Sequence, residues 1–349
     1  MKSLTTVVLP PVSLFYSIAT RVRLSLFEKG VLRVSRLNVP VISVGNITTG
    51  GTGKTPVVEW LCRTLAAAGQ KVCILTRGYG RPMSASRVVV SDGTKILADQ
   101  TRAGDEPFML AEKLLGLAAV ICDPDRFAAG KWAIKELGTA VFVLDDGFQH
   151  LRLFRSLNIV TIDATNPWGG GKLLPSGRLR EPLSGLKRAD IVVITRADQV
   201  ESVEPLRSRI KAISARPLIV TASMRTTRLR SLSCEISSEV SSPNLAKSLG
   251  AFCGIGNSEA FFSQLEREGY EPILKRVFPD HHVYTREDVD LITVEALRTG
   301  VEMLFTTAKD AVKLQSFKFE VPTVVLEIEP VFDNDEVLRT LVLNAAKET

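Results

Sequence analysis

Residues 41–57 read V-I-S-V-G-N-I-T-T-G-G-T-G-K-T-P-V, and this stretch decides the fold of the chain. Its apolar start predicts a buried strand, its glycines predict a tight loop, and Lys54-Thr55-Pro56 predicts the first turn of a helix. Pro56 suits that turn because an N–H group there has no helical partner to lose. A strand, a glycine-rich loop and a helix in this order are typical of a phosphate-binding site.

The loop carries the groups that bind a nucleoside triphosphate. Its glycines let backbone N–H groups converge on an anion, Lys54 reaches the outer phosphates, and the Thr55 hydroxyl can bind Mg²⁺. The match to G-x-x-x-x-G-K-[ST] is incomplete because Thr48 stands at the first glycine position, and the alternative is an ordinary glycine-rich turn. The predicted nucleotide-binding residues are Thr48, Thr49, Gly50, Gly51, Thr52, Gly53, Lys54 and Thr55, and Lys54 is also a predicted catalytic residue.

The composition is that of a folded protein with an anionic partner. The chain has 349 residues, of which 45% are hydrophobic, which is enough for a large core and about two domains. A net charge of +6 suits a nucleotide, a nucleic acid or an acidic lipid without choosing among them. The five cysteines show no C-x-x-C spacing, which predicts reduced, packed thiols and a cytosolic protein.

Short apolar runs rich in valine and isoleucine recur along the chain and alternate with helical patterns. Such runs are buried on both faces, so they predict a P-loop NTPase-type α/β fold with a mostly parallel sheet flanked by helices. Ligands of these sheets bind at the carboxyl ends of the strands. The predicted strands after the glycine-rich loop span residues 72–76, 88–91, 118–122, 141–145, 159–163, 191–195 and 217–221.

The composition shifts to Ser, Thr, Arg and Glu at residues 226–244, which predicts a linker or a change of domain. We expect a P-loop kinase-type domain at residues 1–225 and a second, smaller α/β domain at residues 226–349. Strands and helices alternate again in the second domain. The last predicted helix, at residues 335–347, can return to either domain.

The N-terminal residues 4–27 are apolar and then basic, and Pro10-Pro11 interrupts the run. The uncharged stretch before Arg21 is shorter than the ~20 residues of a spanning helix, and no convincing signal cleavage site follows. From Val12 onward, apolar residues recur at helical spacing, and this helix either lies in an anionic membrane surface or packs on the protein core. The apolar positions are Phe15, Ile18, Ala19, Val22 and Leu26.

Two adjacent carboxylates end an apolar strand in V-F-V-L-D-D-G-F-Q-H, residues 141–150. In P-loop enzymes an aspartate at such a strand end binds Mg²⁺ beside the loop hydroxyl. We therefore expect Thr55 to share a metal site with Asp145 and Asp146, and the sequence does not say which aspartate is the direct ligand. The alternative is a solvated Asp-Asp-Gly turn.

Asp105 and His281 are candidates for proton transfer. Asp105 lies in A-G-D-E-P, just before an apolar-periodic helix, and the alternative is that it caps this helix. His281 and His282 follow F-P-D in a loop of the second predicted domain, where the alternative is a polar loop histidine. Because the chain has only three histidines, we expect no histidine-based metal site.

Basic, glycine-rich loops follow several of the predicted strands. They include T-R-G-Y-G-R at residues 76–81 and N-P-W-G-G-G-K-L-L-P-S-G-R-L-R-E-P at residues 166–182. Arginines in such loops suit bidentate contact with phosphate oxygens, although either loop can equally be a solvated connection. D-P-D-R at residues 123–126 is similar, with Asp125 as a predicted helix cap and Arg126 at the same edge of the sheet.

Taken together, these motifs resemble the tetraacyldisaccharide 4'-kinase family of lipid A synthesis. The resemblance runs from residue 45 to about residue 314, and the chain departs from the family pattern at Ala308, where a glutamate is usual. The motifs are, in order, G-N-I-T-T-G-G-T-G-K-T-P, T-R-G-Y-G-R, G-D-E-P, D-D-G-F-Q-H, L-L-P-S-G-R-L-R-E-P, F-P-D-H-H and T-T-A-K-D-A-V-K-L. The residues that the motifs assign to substrate binding are Arg77, Arg81, Arg126, Gln149, His150, Arg178 and Arg180.

The resemblance implies a peripheral kinase on the cytosolic face of the inner membrane. Such an enzyme uses ATP and Mg²⁺ to phosphorylate the 4'-hydroxyl of a tetraacylated glucosamine disaccharide 1-phosphate, with no nucleic acid as partner. The lipid substrate follows from the resemblance alone, and it favours membrane contact for the N-terminal helix. Asp105 and His281 would then act as a pair across the cleft between the two predicted domains, with the aspartate accepting the proton of the attacking hydroxyl.

Two other functions compete with this interpretation. One is a GTPase-like nucleotide switch at the membrane, because Thr195-Arg196-Ala197-Asp198 loosely resembles the Asn-Lys-x-Asp motif that recognises guanine, although the asparagine is absent. The other is a non-catalytic membrane-binding module, which leaves Asp105 and both basic loops unexplained. The identity of the bound nucleotide and ATP turnover separate these functions from the kinase.

Overall fold

The computed structural model describes residues 4–78, 81, 86–232 and 248–347. The chain forms two compact units, the first made of Met1–Ser223 and Pro330–Thr349 and the second of Met224–Glu329. The change of unit falls within two strands, β8 (Leu218–Ser231) and β12 (Thr323–Phe332). The helix at Asp335–Ala345 belongs to the first unit.

The first unit contains a sheet in the order β8-β7-β6-β1-β5-β2-β4-β3. All neighbouring pairs in it are parallel except β3 and β4, which are antiparallel. This confirms the predicted mostly parallel sheet, and the predicted apolar runs coincide with its strands. The remaining strands are β1 (Val41–Asn46), β2 (Val72–Thr76), β3 (Val88–Ser91), β4 (Ala118–Cys122), β5 (Val141–Asp145), β6 (Leu157–Asp163) and β7 (Ile191–Thr195).

Helices cover both faces of this sheet because its central strands are apolar on both sides. Every residue of β1 is buried, and Ile42 and Phe142 lie in two different apolar clusters of the first unit. The four cysteines in the described part of the chain are free and buried, as predicted for packed thiols, and Cys234 lies outside it. The helices are α1 (Leu4–Glu28), α2 (Lys54–Ala67), α3 (Gln100–Ala103), α4 (Asp105–Lys113), α5 (Arg126–Leu137), α6 (Glu204–Ile213) and, at the end of the chain, α10 (Asp335–Ala345).

The second unit is a smaller α/β unit with the strand order β10-β9-β11-β12, and its β9, β10, β11 and β12 are parallel. Phe252 and Phe305 are buried in two different apolar clusters of this unit. Its other elements are β9 (Leu249–Cys253), α7 (Ser258–Arg267), β10 (Leu274–Val277), α8 (Arg286–Arg298), β11 (Met303–Thr307) and α9 (Ala308–Leu314).

The predicted linker at residues 226–244 is wrong for its first part. Residues 226–231 continue strand β8, and residues 233–247 lie outside the described part of the chain. The polar residues belong to a half-exposed strand, where the Thr226 N–H donates to Glu268 and Arg230 pairs with Glu327. The polar composition of residues 226–231 resembles that of a linker because the carboxylates that these residues contact, Glu268 and Glu327, are distant in sequence.

Helix α1 begins earlier than predicted, because Pro10 and Pro11 lie within it. Proline removes a backbone hydrogen bond of the preceding turn, but here it does not end the helix. In the described residues no helix has the length and apolar character needed to cross a bilayer. Beyond residue 11, α1 donates hydrogen bonds from Ser13 to the Leu173 carbonyl at 2.9 Å and from Tyr16 to the Arg180 carbonyl at 2.8 Å.

Candidate active site

Residues 48–55, the predicted phosphate-binding loop, lie at the carboxyl end of β1, where the chain turns into α2. The buried Thr52 hydroxyl accepts a hydrogen bond from Asn46 Nδ2 at 2.9 Å and lies 2.8 Å from the Thr161 hydroxyl. Thr195 Oγ1 donates to the Thr52 carbonyl at 3.0 Å. The neighbouring strands β6 and β7 therefore fix the loop before any ligand binds, which reduces the ordering cost of binding.

The N-terminus of α2 suits an anion. Its N-cap residue, Gly53, has a φ of +73°, which a glycine adopts without strain, and no side chain caps the first turn. The free N–H groups of that turn and the helix dipole attract phosphate. Arg178 lies against the same loop, because its Nε donates to the Thr49 carbonyl at 3.1 Å and its guanidinium fills the space a Cβ at Gly50 would take.

Lys54, Asp146 and Arg180 form a charge cluster beside this loop. Lys54 Nζ lies 3.5 Å from Asp146 Oδ1, and Arg180 Nη1 lies 2.6 Å from Asp146 Oδ2. Burial alone would raise the pKa of Asp146, but the two cations outweigh it and hold that pKa below its usual range. The loop lysine is thus oriented by a carboxylate from the end of β5.

Asp145 differs from its neighbour in its environment, because Asp145 is only 6% exposed. Burial, followed by the charges of Glu106 and Asp146, raises its pKa to about 7, although Lys54 and a 3.3 Å hydrogen bond from Thr76 oppose this shift. A buried carboxylate among other carboxylates is stabilised by a bound cation. The donors present, carboxylate oxygens and the Thr55 hydroxyl, are those that Mg²⁺ prefers.

Among the described residues, no three His, Cys, Asp or Glu side chains enclose a metal by themselves. This fits Mg²⁺, which is usually bound by one or two carboxylates together with substrate phosphates and water. Glu106 is a carboxylate beside Asp145 that the sequence interpretation did not assign to the site. The sequence indicates a role for Glu106 only through its position next to Asp105 in G-D-E-P. The fold is what brings Glu106 near Asp145, at the end of β5.

Asp105 is the first residue of α4, and Gly104 occupies the N-cap position without a side-chain cap hydrogen bond. The alternative interpretation of Asp105 as the N-cap is therefore wrong. Its Oδ1 accepts a hydrogen bond from Gln100 Nε2 at 2.8 Å.

The arginines of the basic loops take different positions. Arg77 is exposed, whereas Arg81 is buried and donates to the carbonyls of Gly78 and Arg77. Tyr79 and Gly80 of the same loop lie outside the described residues. Arg126 begins α5 after Asp125, whose side chain caps that helix as predicted. Burial, and then the charge of Arg77, lowers the pKa of Arg126.

Gln149 links the end of β5 to the long basic loop. Its Nε2 donates to the Asn46 carbonyl at 2.8 Å and to Glu181 Oε1 at 2.7 Å. Glu181 is 1% exposed and also pairs with Arg188, so it holds both segments together. The sequence interpretation missed Glu181, because only the fold shows that this glutamate is buried.

His150 follows Gln149 and is partly buried. Burial, and then the charges of Arg126, Arg155 and Arg23, lowers its pKa to about 4. The imidazole is therefore neutral at physiological pH, so it can donate or accept a hydrogen bond without adding charge.

His281 lies in the second unit, in the loop between β10 and α8. Its side chain is 48% exposed, and its φ of +60° lies in the left-handed region that non-glycine residues rarely adopt. His282 has a structural environment instead, because Nε2 lies 3.0 Å from Asp288 Oδ2 and the ring stacks on Phe278. The first unit brings Lys54, Asp146, Gln149, Arg178 and Arg180 together at the phosphate-binding loop, whereas His281 belongs to the other unit.

This fold and this site define a class of protein. A strand leads through a glycine-rich loop into a helix, and the loop lysine contacts an aspartate at the end of the neighbouring strand. This is the arrangement of a P-loop phosphotransferase. The family model described as tetraacyldisaccharide-1-P 4'-kinase matches residues 5–347. The chain belongs to this family.

Curated relatives and a solved structure agree with this assignment. The tetraacyldisaccharide 4'-kinase of Geobacter metallireducens is 41% identical over 299 residues, which are 86% of this chain and 86% of that protein. That of Syntrophus aciditrophicus is 38% identical over 96% of this chain and 92% of its own. The crystal structure of LpxK from Aquifex aeolicus, described as an "apo" form in complex with ATP, has a TM-score of 0.77 and 32% identity. The matched residues are 96% of this chain and 97% of the Aquifex aeolicus chain. The predicted family and kinase class are confirmed, and the GTPase-like switch is not favoured.

Proposed function

We propose that this protein transfers the γ-phosphoryl group of ATP to the 4'-hydroxyl of a tetraacylated glucosamine disaccharide 1-phosphate. The proposal rests on the family and on one set of contacts in the site. Lys54 of the phosphate-binding loop is paired with Asp146, and Arg180 also contacts Asp146. These cations support a position for the outer phosphates of ATP beside Lys54 and Arg180. Such charges stabilise the negative charge on a phosphoryl group during its transfer.

Asp145, Asp146 and Thr55 are proposed to hold Mg²⁺, with Glu106 near them. When bound, this ion neutralises charge on the phosphate oxygens. The chain itself supplies the backbone N–H groups of α2, the Lys54 ammonium and the Arg178 guanidinium. These groups bind and orient the triphosphate before the acceptor arrives.

Asp105 is proposed to accept the proton of the attacking hydroxyl, and His281 to orient this carboxylate. The proposal is supported by the chemistry of the two side chains. Asp105 starts a helix and has a hydrogen-bonded carboxylate, and His281 is an exposed imidazole on a well-packed loop. A positioned aspartate is the usual proton acceptor in kinases. Arg77, Arg81, Arg126, Gln149, His150, Arg178 and Arg180 remain the proposed substrate-binding residues.

Helix α1 is proposed to lie in the cytosolic surface of the inner membrane, where the acyl chains of the substrate are. It exposes a row of large apolar side chains: Leu14 is 62% exposed, Phe15 74%, Ile18 51% and Val22 52%. The exposure of Phe15, Ile18 and Val22 supports membrane contact over packing on the protein core, the alternative raised by the sequence. Tyr16 and Arg23 of the same helix contact the carbonyls of Arg180 and Gln149, so the helix adjoins proposed substrate-binding residues.

The activity is tested by incubating the purified protein with ATP, Mg²⁺ and the disaccharide 1-phosphate lipid in detergent. We expect a second phosphate on the lipid, lost when EDTA removes the metal or when GTP replaces ATP. An acceptor that stays unphosphorylated in several detergents while ATP is hydrolysed would contradict the proposed acceptor but not nucleotide binding.

Membrane contact is tested separately with the double variant Phe15→Asp/Ile18→Asp. We expect weaker flotation with anionic liposomes and a KM for lipid that rises more than the KM for ATP. Val294→Asp/Leu297→Asp on α8, where Leu297 is 58% exposed, is a matched control and should change neither. Equal flotation of both double variants would contradict the role of α1.

A further inference from the structure

A lysine of the second unit contacts the histidine that is proposed to act in catalysis. Lys309 Nζ lies 3.3 Å from His281 Nε2 and 3.1 Å from Asp280 Oδ1. The Lys309 side chain is 16% exposed, so most of it is packed against the protein. We propose that Lys309 is a positioning residue that fixes the tautomer and the ring orientation of His281.

The chemistry of the contact decides which imidazole nitrogen carries the proton. A lysine ammonium has only donor N–H groups, so His281 Nε2 must be the acceptor of this hydrogen bond. In a neutral imidazole the other nitrogen is then the donor. His281 therefore holds its proton on Nδ1, and Nδ1–H is the group it can offer to a carboxylate. Asp280 Oδ1 accepts a hydrogen bond from the same ammonium.

The backbone around Lys309 is fixed by buried polar contacts. Lys309 lies in the first turn of α9, where Thr307 is the N-cap and Asp310 N donates to its hydroxyl. Asp310 is fully buried, and its Oδ2 accepts from Gly254 N at 3.0 Å and from the Thr307 hydroxyl at 2.7 Å. A cation in the first turn of a helix is opposed by the helix dipole, so this lysine position does not serve helix stability.

The loop around His281 is held by the contacts of neighbouring residues. The His282 ring lies 4.7 Å from the Phe278 ring and 5.0 Å from the Tyr284 ring, and Asp288 Oδ2 accepts a hydrogen bond from its Nε2. His281 takes a left-handed backbone conformation between these anchors, and its side chain reaches solvent. The loop thus fixes the backbone of His281 and Lys309 fixes its ring.

Lys309 would act in the reaction only through His281, so its catalytic effect rests on the proposed function. The tautomer does not rest on it, and this allows two separate measurements. The chain has three histidines, so selective ¹⁵N-histidine labelling gives few signals, which single histidine-to-glutamine variants assign.

The first measurement is the ¹⁵N spectrum of the full-length protein at mildly alkaline pH. We expect His281 to carry its proton on Nδ1 in the unmodified protein, which requires no variant to fold. In Lys309→Met the proton should move to Nε2, the usual site in water, and in Lys309→Arg it should stay on Nδ1. His282 should not change in either variant. An Nε2–H tautomer in the unmodified protein, or an unchanged tautomer in Lys309→Met, would overturn the proposal.

The second measurement is steady-state kinetics. Lys309→Met should lower kcat by about 10-fold with less than a twofold change in the KM for ATP, and Lys309→Arg should recover part of the loss. Lys275→Met, which removes a lysine paired with Glu266 in the same unit, should leave kcat unchanged. If the tautomer moves but kcat does not, the proposed role of His281 in the reaction is wrong, while the role of Lys309 in fixing the tautomer holds.

Discussion

The phosphate-binding loop of the first unit and the F-P-D-H-H loop of the second unit hold charged side chains in different ways. At the first, buried and half-buried charges are matched with one another, and Asp146 contacts both Lys54 and Arg180. At the second, buried aromatic rings and His282 form a frame, and His281 and Asp280 lie at the surface. Removing one charge from the first loop leaves others uncompensated, whereas the second loop can lose one exposed side chain and keep its structure.

The largest effect is expected at the phosphate-binding loop. Lys54→Ala and Thr55→Ala should each lower kcat by about 10³-fold or more, because both residues stabilise charge in the transition state. Circular dichroism should show an unchanged fold. Lys135→Ala, at an 83% exposed lysine side chain of the same unit, is the control and should keep full activity. Near-normal kcat in either loop variant would mean that this loop is a simple turn.

The next largest effect on kcat is expected when the F-P-D-H-H loop or its proposed partner Asp105 is changed. Asp105→Ala and His281→Ala should each lower kcat by ~10²-fold or more, and the double variant should be scarcely slower than the poorer single variant. Steady-state kinetics of the four proteins gives the coupling. Fully multiplicative losses would show that the two residues act independently.

His282→Ala is the matched variant in the same loop. It should lose about 1–2 kcal/mol of stability, through the hydrogen bond to Asp288 and the contacts with two aromatic rings, and keep most of its kcat. Chemical denaturation measures the first quantity and the lipid assay the second. If His282→Ala had a kcat as low as that of His281→Ala and an unchanged stability, the distinction between a structural His282 and an exposed His281 that acts in the reaction would be wrong.

A smaller effect is expected behind the phosphate-binding loop, at Glu181. Glu181→Gln should lower the free energy of unfolding by about 2 kcal/mol, because it leaves Arg188 without its buried charge partner. Glu136→Gln removes a carboxylate from an exposed pair with Lys135 and should change stability by less than about 0.5 kcal/mol. Thermal unfolding of both variants tests this, and equal shifts would show that charge matching does not stabilise the first unit.

The smallest effect concerns pH. The pKa of His150 is about 4 in the folded protein and ordinarily about 6.5, so between these values the unfolded chain binds a proton that the folded one does not. Stability from this residue is therefore present above pH 6.5 and lost as the pH falls toward 4. His150→Gln should lose about 1 kcal/mol less stability than the unmodified protein between pH 7 and pH 5.5. Parallel curves from denaturation at several pH values would contradict a neutral His150.

The sequence by itself determined the features that depend on neighbouring residues. The strand, loop and helix around Lys54 follow from apolar periodicity and glycine positions, and the Asp145-Asp146 pair follows from its place at a strand end. The motifs also identified the family. Local patterns failed where a residue's partner is distant in sequence, as at residues 226–231 in β8. They also failed at Pro10 and Pro11, which lie within α1.

Only the tertiary structure decided which side chains meet. Arg180 is 34 residues from Asp146, and Lys309 is 28 residues from His281. Neither pair has a spacing that a helix or a strand imposes, so no periodicity predicts it. The burial that raises the pKa of Asp145 and the approach of Glu106 have the same origin. Charge compensation and desolvation depend on distances through space, and these exist only after the sheet has brought its strand ends together.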